Sequence, residues 1–321
     1  ARAVSTAGSA ASAQMTAAAK PHRGGAGGVG EPGWCGGLLQ LVRNVCQVPY
    51  LIAKLMVREE DYNAIHGLWA LRGTKGIAWS QPVPLAAVKH VKQHFGCGCT
   101  VNDVLLAATA AALERYLSEA TEVAVADGAL PSPVRAQLRA ACKSELTICL
   151  PFNVRTAAEM RRVSLENRFA LLFVGVPLAL AGGPRARLAA TMRSMIEVKR
   201  SSLPLAMRLS LTALTQLLPS ACAAYLIDIV ADSASAIVTN NRGPSNPLYF
   251  DNRLCKYWVS WAPQRASIGT CVTVYSYADQ VRCSVSADMT SVPEPARLVD
   301  LLIEELGIMI EMAGWPSATP S

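Results

Sequence analysis

The clearest hydrophobic periodicity in the chain begins at Thr100. Val101, Val104, Leu105, Ala108, Ala112 and Tyr116 recur at helical spacing and fall on one face. Thr100 and Asp103 form a capping-box pattern at its start, in which hydroxyl and carboxylate serve each other's backbone N–H groups. The pattern predicts a buried helix of about five turns. A second helix is predicted near the C-terminus, with Ser291, Pro293 and Glu294 at its start, a stripe through Leu298, Leu302, Leu306, Met309 and Ile310, and Gly314 beyond its end. Helical spacing over Leu38 to Arg58 predicts an amphipathic helix, packed on the domain or lying on a membrane.

Period-two patterns mark the strands. Val281, Cys283, Val285 and Ala287 alternate with Arg282, Ser284 and Ser286, after a similar run from Thr270 to Tyr275, which predicts a hairpin with one face in water. Leu146 to Leu150 and Ala170 to Val176 read as buried strands, separated by a polar stretch with Asn153, Arg155 and Asn167. Ala236 to Thr239 reads as a short strand stopping at an Asn240-Asn241-Arg242-Gly243-Pro244 loop. Residues 127–144, with Pro131 and Pro133, read as a loop, and helices are expected from Arg185 to Ser201 and Leu203 to Ile229. Helices and strands interleave irregularly, so the expected class is α/β with a mixed sheet packed by helices.

Composition adds a generous core or an affinity for lipid, since 51% of the 321 residues are hydrophobic and 17% charged. A membrane span is not expected. Phe169 to Ala181 is too short, and Arg208, Gln216, Pro219 and Asp228 interrupt Leu203 to Val230, which reads instead as two packed helices. The net charge of +7 is spread along the chain without an aromatic-interleaved basic stripe, which argues against nucleic acid as a partner. Ten cysteines are too dilute for a disulfide scaffold and read as buried reduced thiols. His90 and His94 share the i, i+4 spacing of a helix face but lack two further ligands, so no metal is expected.

Residues 1–33 are rich in Ala, Gly and Ser with no acid before Glu31, which fits a disordered linker or an organelle transit peptide. Because the chain starts at Ala1, a processed product or a fragment is expected. The domain expectation is thus a disordered 1–33, an amphipathic helix and linker over 34–74, and a folded domain over 75–316.

Several stretches resemble the wax ester synthase/diacylglycerol acyltransferase family, in that family's order. They are Lys75-Gly76-Ile77-Ala78-Trp79-Ser80, Val88-Lys89, Thr100 to Ala107 with Tyr116-Leu117, Pro151-Phe152-Asn153-Val154-Arg155, Glu166-Asn167-Arg168, and the Thr239 to Pro244 segment followed by Pro247-Leu248-Tyr249. The resemblance runs over about residues 70–314 and implies a C-terminal, chloramphenicol-acetyltransferase-like half. It implies an O-acyltransferase in which two such halves enclose a tunnel, where acyl-CoA meets diacylglycerol or a long-chain alcohol. A His-His-x-x-x-Asp-Gly motif in the first half would take the hydroxyl proton. Here the histidines are His22, His66, His90 and His94, none adjacent to another.

The resemblance therefore assigns no catalytic residue in this chain. It carries over Asn102, Asp103, Asn241, Gly243 and Pro244 as tunnel-wall or structural positions. Asn102 is either an amide at the tunnel or a helix-start residue serving its own backbone, Asp103 reads as the structural one, and the Asn241 to Pro244 loop is either a substrate-facing wall or a turn. Arg242 departs from the family's Asn-Val-Pro-Gly-Pro. No cofactor is implied beyond acyl-CoA as co-substrate. The implied partners are acyl-CoA, diacylglycerol or a long-chain alcohol, the N-terminal half and a membrane surface, at the cytosolic face of endoplasmic reticulum or plasma membrane. The competing expectation is a catalytically silent module that binds acyl chains or pairs with a full-length partner.

Overall fold

The hairpin is the backbone of the sheet. In a computed structural model, which describes residues 61–316 apart from 97, 129, 143–144, 154, 156–168 and scattered positions between 201 and 214, β8 (Thr270–Tyr277) and β9 (Gln280–Asp288) pair antiparallel. Their two-residue turn, Ala278-Asp279, has φ of 48° and 57°, the left-handed pair that matches strand twist in a tight hairpin. The other members are β1 (Lys75–Trp79), β2 (Val83–Pro84), β3 (Glu145–Asn153), β4 (Phe169–Pro177) and β5 (Ala236–Arg242). The order is β1-β9-β8-β5-β3-β4, with β2 also on β9. β5 runs parallel to both β3 and β8 while the remaining pairs are antiparallel, so the sheet is mixed.

One face is covered by helices α1 (Leu85–Phe95), α2 (Val101–Ala126), α4 (Gly183–Arg200) and α6 (Pro295–Met312), with the short α3 (Ser132–Ala141) beside α2. The capping box at Thr100 forms as expected: Asp103 N–H donates to Thr100 Oγ1 at 3.2 Å, and Thr100 N–H donates to Asp103 Oδ2 at 2.8 Å. The helix it starts is longer than five turns, running 26 residues, because its first half is enclosed on all sides rather than on one stripe. Leu298, Leu301, Leu302 and Leu306 of α6 are each fully buried against this layer, an area whose removal from water is a main source of stability.

Three expectations are corrected here. The stretch 127–144 is not all loop, since Pro131 is the N-cap of α3 and Pro133 lies in its first turn, where a missing N–H costs nothing. β5 does not stop at Thr239; Asn240, Asn241 and Arg242 stay in register with Val274, Tyr275 and Ser276 of β8. The hairpin has no wet face either. Ser284 is 1% exposed and Ser286 9%, because the strap over residues 255–269 crosses the second face of the sheet and Ser284 Oγ donates to Ser260 O at 2.8 Å.

The helix expected over Leu38 to Arg58 and the N-terminal segment 1–33 lie outside the described residues. Residues from Asp61 already pack into the domain: Ala64 and Ile65 join the main core, and the Asp61 carboxylate accepts from Thr147 N at 2.7 Å and from Ser235 Oγ at 2.7 Å. Between β5 and the strap, β6 (Tyr249–Phe250) and β7 (Arg253–Leu254) form a small separate hairpin. Where two helices were expected between Leu203 and Ile229, α5 (Ser220–Ala231) is described, preceded by helical positions from Met207 to Leu217.

Candidate functional site

Side chains along a strand point alternately to its two faces, so β5 distributes its residues between two environments. Ala236 and Val238 point into the core beneath the helices, whereas Ile237 joins the smaller cluster on the other face. Continued to the strand's end, this alternation brings Asn240 to the start of α2, where its Nδ2 donates to Asn102 Oδ1 at 3.0 Å. Thr239 and Asn241 line a cleft on the second face. The sites separated in sequence thus meet at one corner, Asn102 directly through Asn240 and Asn241 one residue further on.

The cleft has a volume of about 660 Å³. Its walls come from alternate residues of three strands, Cys149 and Pro151 of β3, Phe169 and Leu171 of β4, and Ile237 and Thr239 of β5, closed by α5 and the strap. The rim is polar, with Asn153, Arg155, Asn241, Gln264 and Arg265. Arg265 is held by Asp228, its Nε donating to Oδ1 at 2.6 Å, and Gln264 donates to Gly269 O at 3.2 Å, so this part of the rim is fixed. A crevice of about 20 Å³ lies beneath Asn102 and Asn240 on the helix side. An apolar hollow with a few fixed polar groups at its mouth is suited to a hydrocarbon chain with a polar end.

Asp103 is the capping residue described above, and Asn102 combines its place in the first turn with the cross-link to β5. Gly243 and Pro244 zip the end of β5 to the hairpin, through Gly243 N to Ser276 O at 2.8 Å and Ala278 N to Pro244 O at 2.9 Å. A Cβ on Gly243 would lie 2.5 Å from Ser276 O and 2.6 Å from Tyr275 Cε1. Glycine is required there for close approach. Gly243→Ala is expected to destabilise the chain by about 1–3 kcal/mol through overpacking, read as a lower urea midpoint at constant slope; an unchanged midpoint would show that the strand end yields freely.

Titratable groups able to start nucleophilic chemistry are missing from the cleft among the described residues. His66 contacts Asp61 O at 2.7 Å and Ser267 Oγ at 2.9 Å, His90 reaches Ala313 O at 2.9 Å, and neither these nor His94 lines it. Cys149 does line it, but burial, with Cys271 adding to it, pushes its thiol up to about 12, so it remains a neutral wall residue. Asn240 was not singled out from the sequence. Its only signal there was its position before Asn241.

Comparison with known proteins places these features. Residues 165–310 match the model of the WS/DGAT C-terminal domain. The chain is 23% identical over 287 residues to wax ester synthase/diacylglycerol acyltransferase 8 of Arabidopsis thaliana, covering 85% of itself and 58% of that protein. It is 27% identical over 213 residues to wax ester synthase/diacylglycerol acyltransferase 11 of the same plant, covering 64% of itself and 43% of that protein. Among solved structures, its fold is similar to the wax ester synthase/diacylglycerol acyltransferase from Marinobacter aquaeolei VT8, with a TM-score of 0.50 at 20% identity over 84% of this chain and 58% of that one. It is also similar to the epimerization domain from the third module of tyrocidine synthetase B, with a TM-score of 0.51 at 11% identity over 84% of this chain and 56% of that one. The fold is therefore a mixed-sheet α/β unit of the chloramphenicol-acetyltransferase-like kind, and the chain spans about half the length of the relatives it matches.

Proposed function

We propose that the chain, whose residues 165–310 match the WS/DGAT C-terminal domain, is a member of the wax ester synthase/diacylglycerol acyltransferase family and the substrate-holding half of an O-acyltransferase. That enzyme moves a fatty acyl group from acyl-CoA to diacylglycerol or a long-chain alcohol, giving triacylglycerol or a wax ester. The observation that carries this reading is the apolar cleft of about 660 Å³ lined by Asn240 and Asn241, at the strand end where Asn240 is cross-linked to Asn102 on the helix side.

In the reaction the acceptor oxygen attacks the thioester carbonyl carbon, an oxyanion forms, and the C–S bond breaks to release CoA as its thiol. The hydroxyl proton needs a positioned base, and the oxyanion needs hydrogen-bond donors. Asn240 supplies a structural condition for the second requirement. By donating to Asn102 Oδ1 it fixes which way that amide is turned, leaving the Asn102 NH2 directed away from Asn240 beside the small crevice on the helix side. The base is proposed to come from the other half, since no two of this chain's four histidines are adjacent.

Exposed apolar surface supports a missing covering. Ile77 and Trp79 of β1 are 55% and 48% exposed, and Tyr249, Phe250 and Leu254 on the small hairpin and Tyr257, Trp258 and Trp261 of the strap are also open. Patches of this kind mark interaction surfaces. We assign them to the N-terminal half and to a membrane surface at the cytosolic side, which Arg253 and Lys256 beside the hairpin aromatics would favour. No helix among the described residues is long and apolar enough to cross a membrane.

The test is an acyl-CoA transfer assay with hexadecanol and with diacylglycerol, on the chain alone and on the chain combined with a family half that carries paired histidines. Transfer only in the combination is expected. Transfer by the chain alone would refute the half-site reading, and no transfer in either, with fatty acyl binding retained, would leave the silent acyl-binding module that the open aromatic surface also fits.

A further inference from the structure

A second cleft lies toward the opposite end of α2 from Asn102. It has a volume of about 670 Å³ and is bounded by Trp69, Tyr116, Glu119, Asp127, Glu294 and Arg297. Asp127 caps the C-terminus of α2, so at about 1.5 Å per residue the far rim of this cleft is more than 30 Å along the helix from Asn102.

Three features make it a site rather than a surface dip. Tyr116 is only 6% exposed and lines the cleft, and its hydroxyl makes no hydrogen bond among the described residues. Burial, aided by Glu294 and Glu119, pushes that phenol up to about 12, so it is present as an intact O–H. The charge is locally reversed as well: three carboxylates face one guanidinium, in a chain whose net charge is +7. Arg297 is engaged by Glu119, Nε donating to Oε2 at 2.9 Å, so Asp127 and Glu294 stand without an ion-pair partner among the described residues.

The position of Asp127 sharpens the point. Backbone carbonyls at a helix C-terminus carry partial negative charge and repel a carboxylate, and the last turn of α2 holds no basic residue. A cation in the cleft would relieve this. Trp69, 47% exposed, offers an indole surface to which an organic cation binds better than a hydrated metal ion.

We propose that this cleft binds a small organic cation carrying a hydroxyl, of the choline or ethanolamine type, with the ammonium among Asp127, Glu294 and Trp69 and the hydroxyl on Tyr116. A free solute offers the ammonium with its hydroxyl, and a lipid headgroup offers the same ammonium with a phosphate-ester oxygen in the hydroxyl's place, which can accept from the Tyr116 O–H. The proposal stands apart from the acyl-transfer reading, since no residue is shared.

The probe is choline chloride titrated into the intact chain by calorimetry, with sodium chloride holding ionic strength constant. Saturable binding is expected, and 3,3-dimethylbutan-1-ol, which has choline's shape without its charge, should bind at least about tenfold more weakly. Asp127→Asn with Glu294→Gln should weaken choline at least about tenfold, and Tyr116→Phe about threefold or more, neither with a fall in melting temperature. Phosphatidylcholine vesicles that pull down the chain and release it on adding free choline would identify the headgroup as the source, and vesicles that do not would identify the free solute. Absence of saturable choline binding, or equal binding of the neutral isostere, would overturn the proposal.

Discussion

Replacing Asp288 by alanine is expected to lower the unfolding free energy by about 3–5 kcal/mol, the largest stability loss foreseen for a single polar side chain here. Asp288 ends β9 and is fully buried. Its Oδ2 accepts from Gly73 N at 2.7 Å, and its Oδ1 accepts from Thr290 N at 3.0 Å and more weakly from Arg72 N at 3.4 Å, with Lys75 Nζ 3.8 Å away. Alanine would orphan these N–H groups where the chain enters β1 and turns toward α6, and each lost partner costs about 1–3 kcal/mol. Asparagine, keeping one acceptor, should lose less.

The same carboxylate makes stability depend on acid. Burial alone would raise its pKa, but the N–H and hydroxyl of Thr290 and the N–H groups of Gly73 and Arg72 together outweigh burial and hold the carboxyl below the usual range. A depressed folded-state value means that its stabilisation is complete above the unfolded pKa of about 3.9 and is lost as pH falls through the folded value. Urea titrations at pH 7 and at pH 3 should therefore show the alanine variant losing less on acidification than the parent chain. Equal acid sensitivity in the two would place the effect on other carboxylates.

The helical layer was legible from local pattern because its signals are local. Thr100 and Asp103 lie three residues apart, and the Leu298, Leu302 and Leu306 stripe needs only one helix to express it. Where the sequence reading fell short, a distant partner decided. Asn240 and Asn241 have poor strand propensity, and only pairing with Val274 and Tyr275 of β8 keeps them in β5. Ser284 and Ser286 look like solvent-facing positions until a strap more than twenty residues away covers them and accepts the Ser284 hydroxyl. Pro131 and Pro133 suggested a loop, but Leu138, fully buried, anchors a helix behind them.

The same distinction applies to the candidate site. Asn102 and Asn241 were visible through family resemblance, whereas Asn240 acquires its role by meeting a residue 138 positions away. Nor could alternation reveal the cleft. Period-two patterning says that Cys149, Pro151 and Ile237 share a face, but whether that face is packed solid or left hollow depends on where α5 and the strap cross it.

Asn240→Ala is expected to reduce kcat/KM for acyl transfer about a hundred-fold when the chain is combined with a histidine-bearing half, since a misplaced donor of about 1 Å is enough for such a loss. Without Asn240 Nδ2 the Asn102 amide is free to rotate, and its NH2 no longer holds one direction. Asn240→Asp gives a sharper result. The aspartate would accept rather than donate, so Asn102 would turn its NH2 toward β5, keeping the contact while reversing its polarity. If the pair serves only to hold α2 on the sheet, Asn240→Asp retains activity. If it orients a donor, that variant falls with alanine while its unfolding midpoint stays near the parent's. Combining Asn240→Ala with Asn102→Ala should then cost little more than either alone, because the two side chains act as one unit.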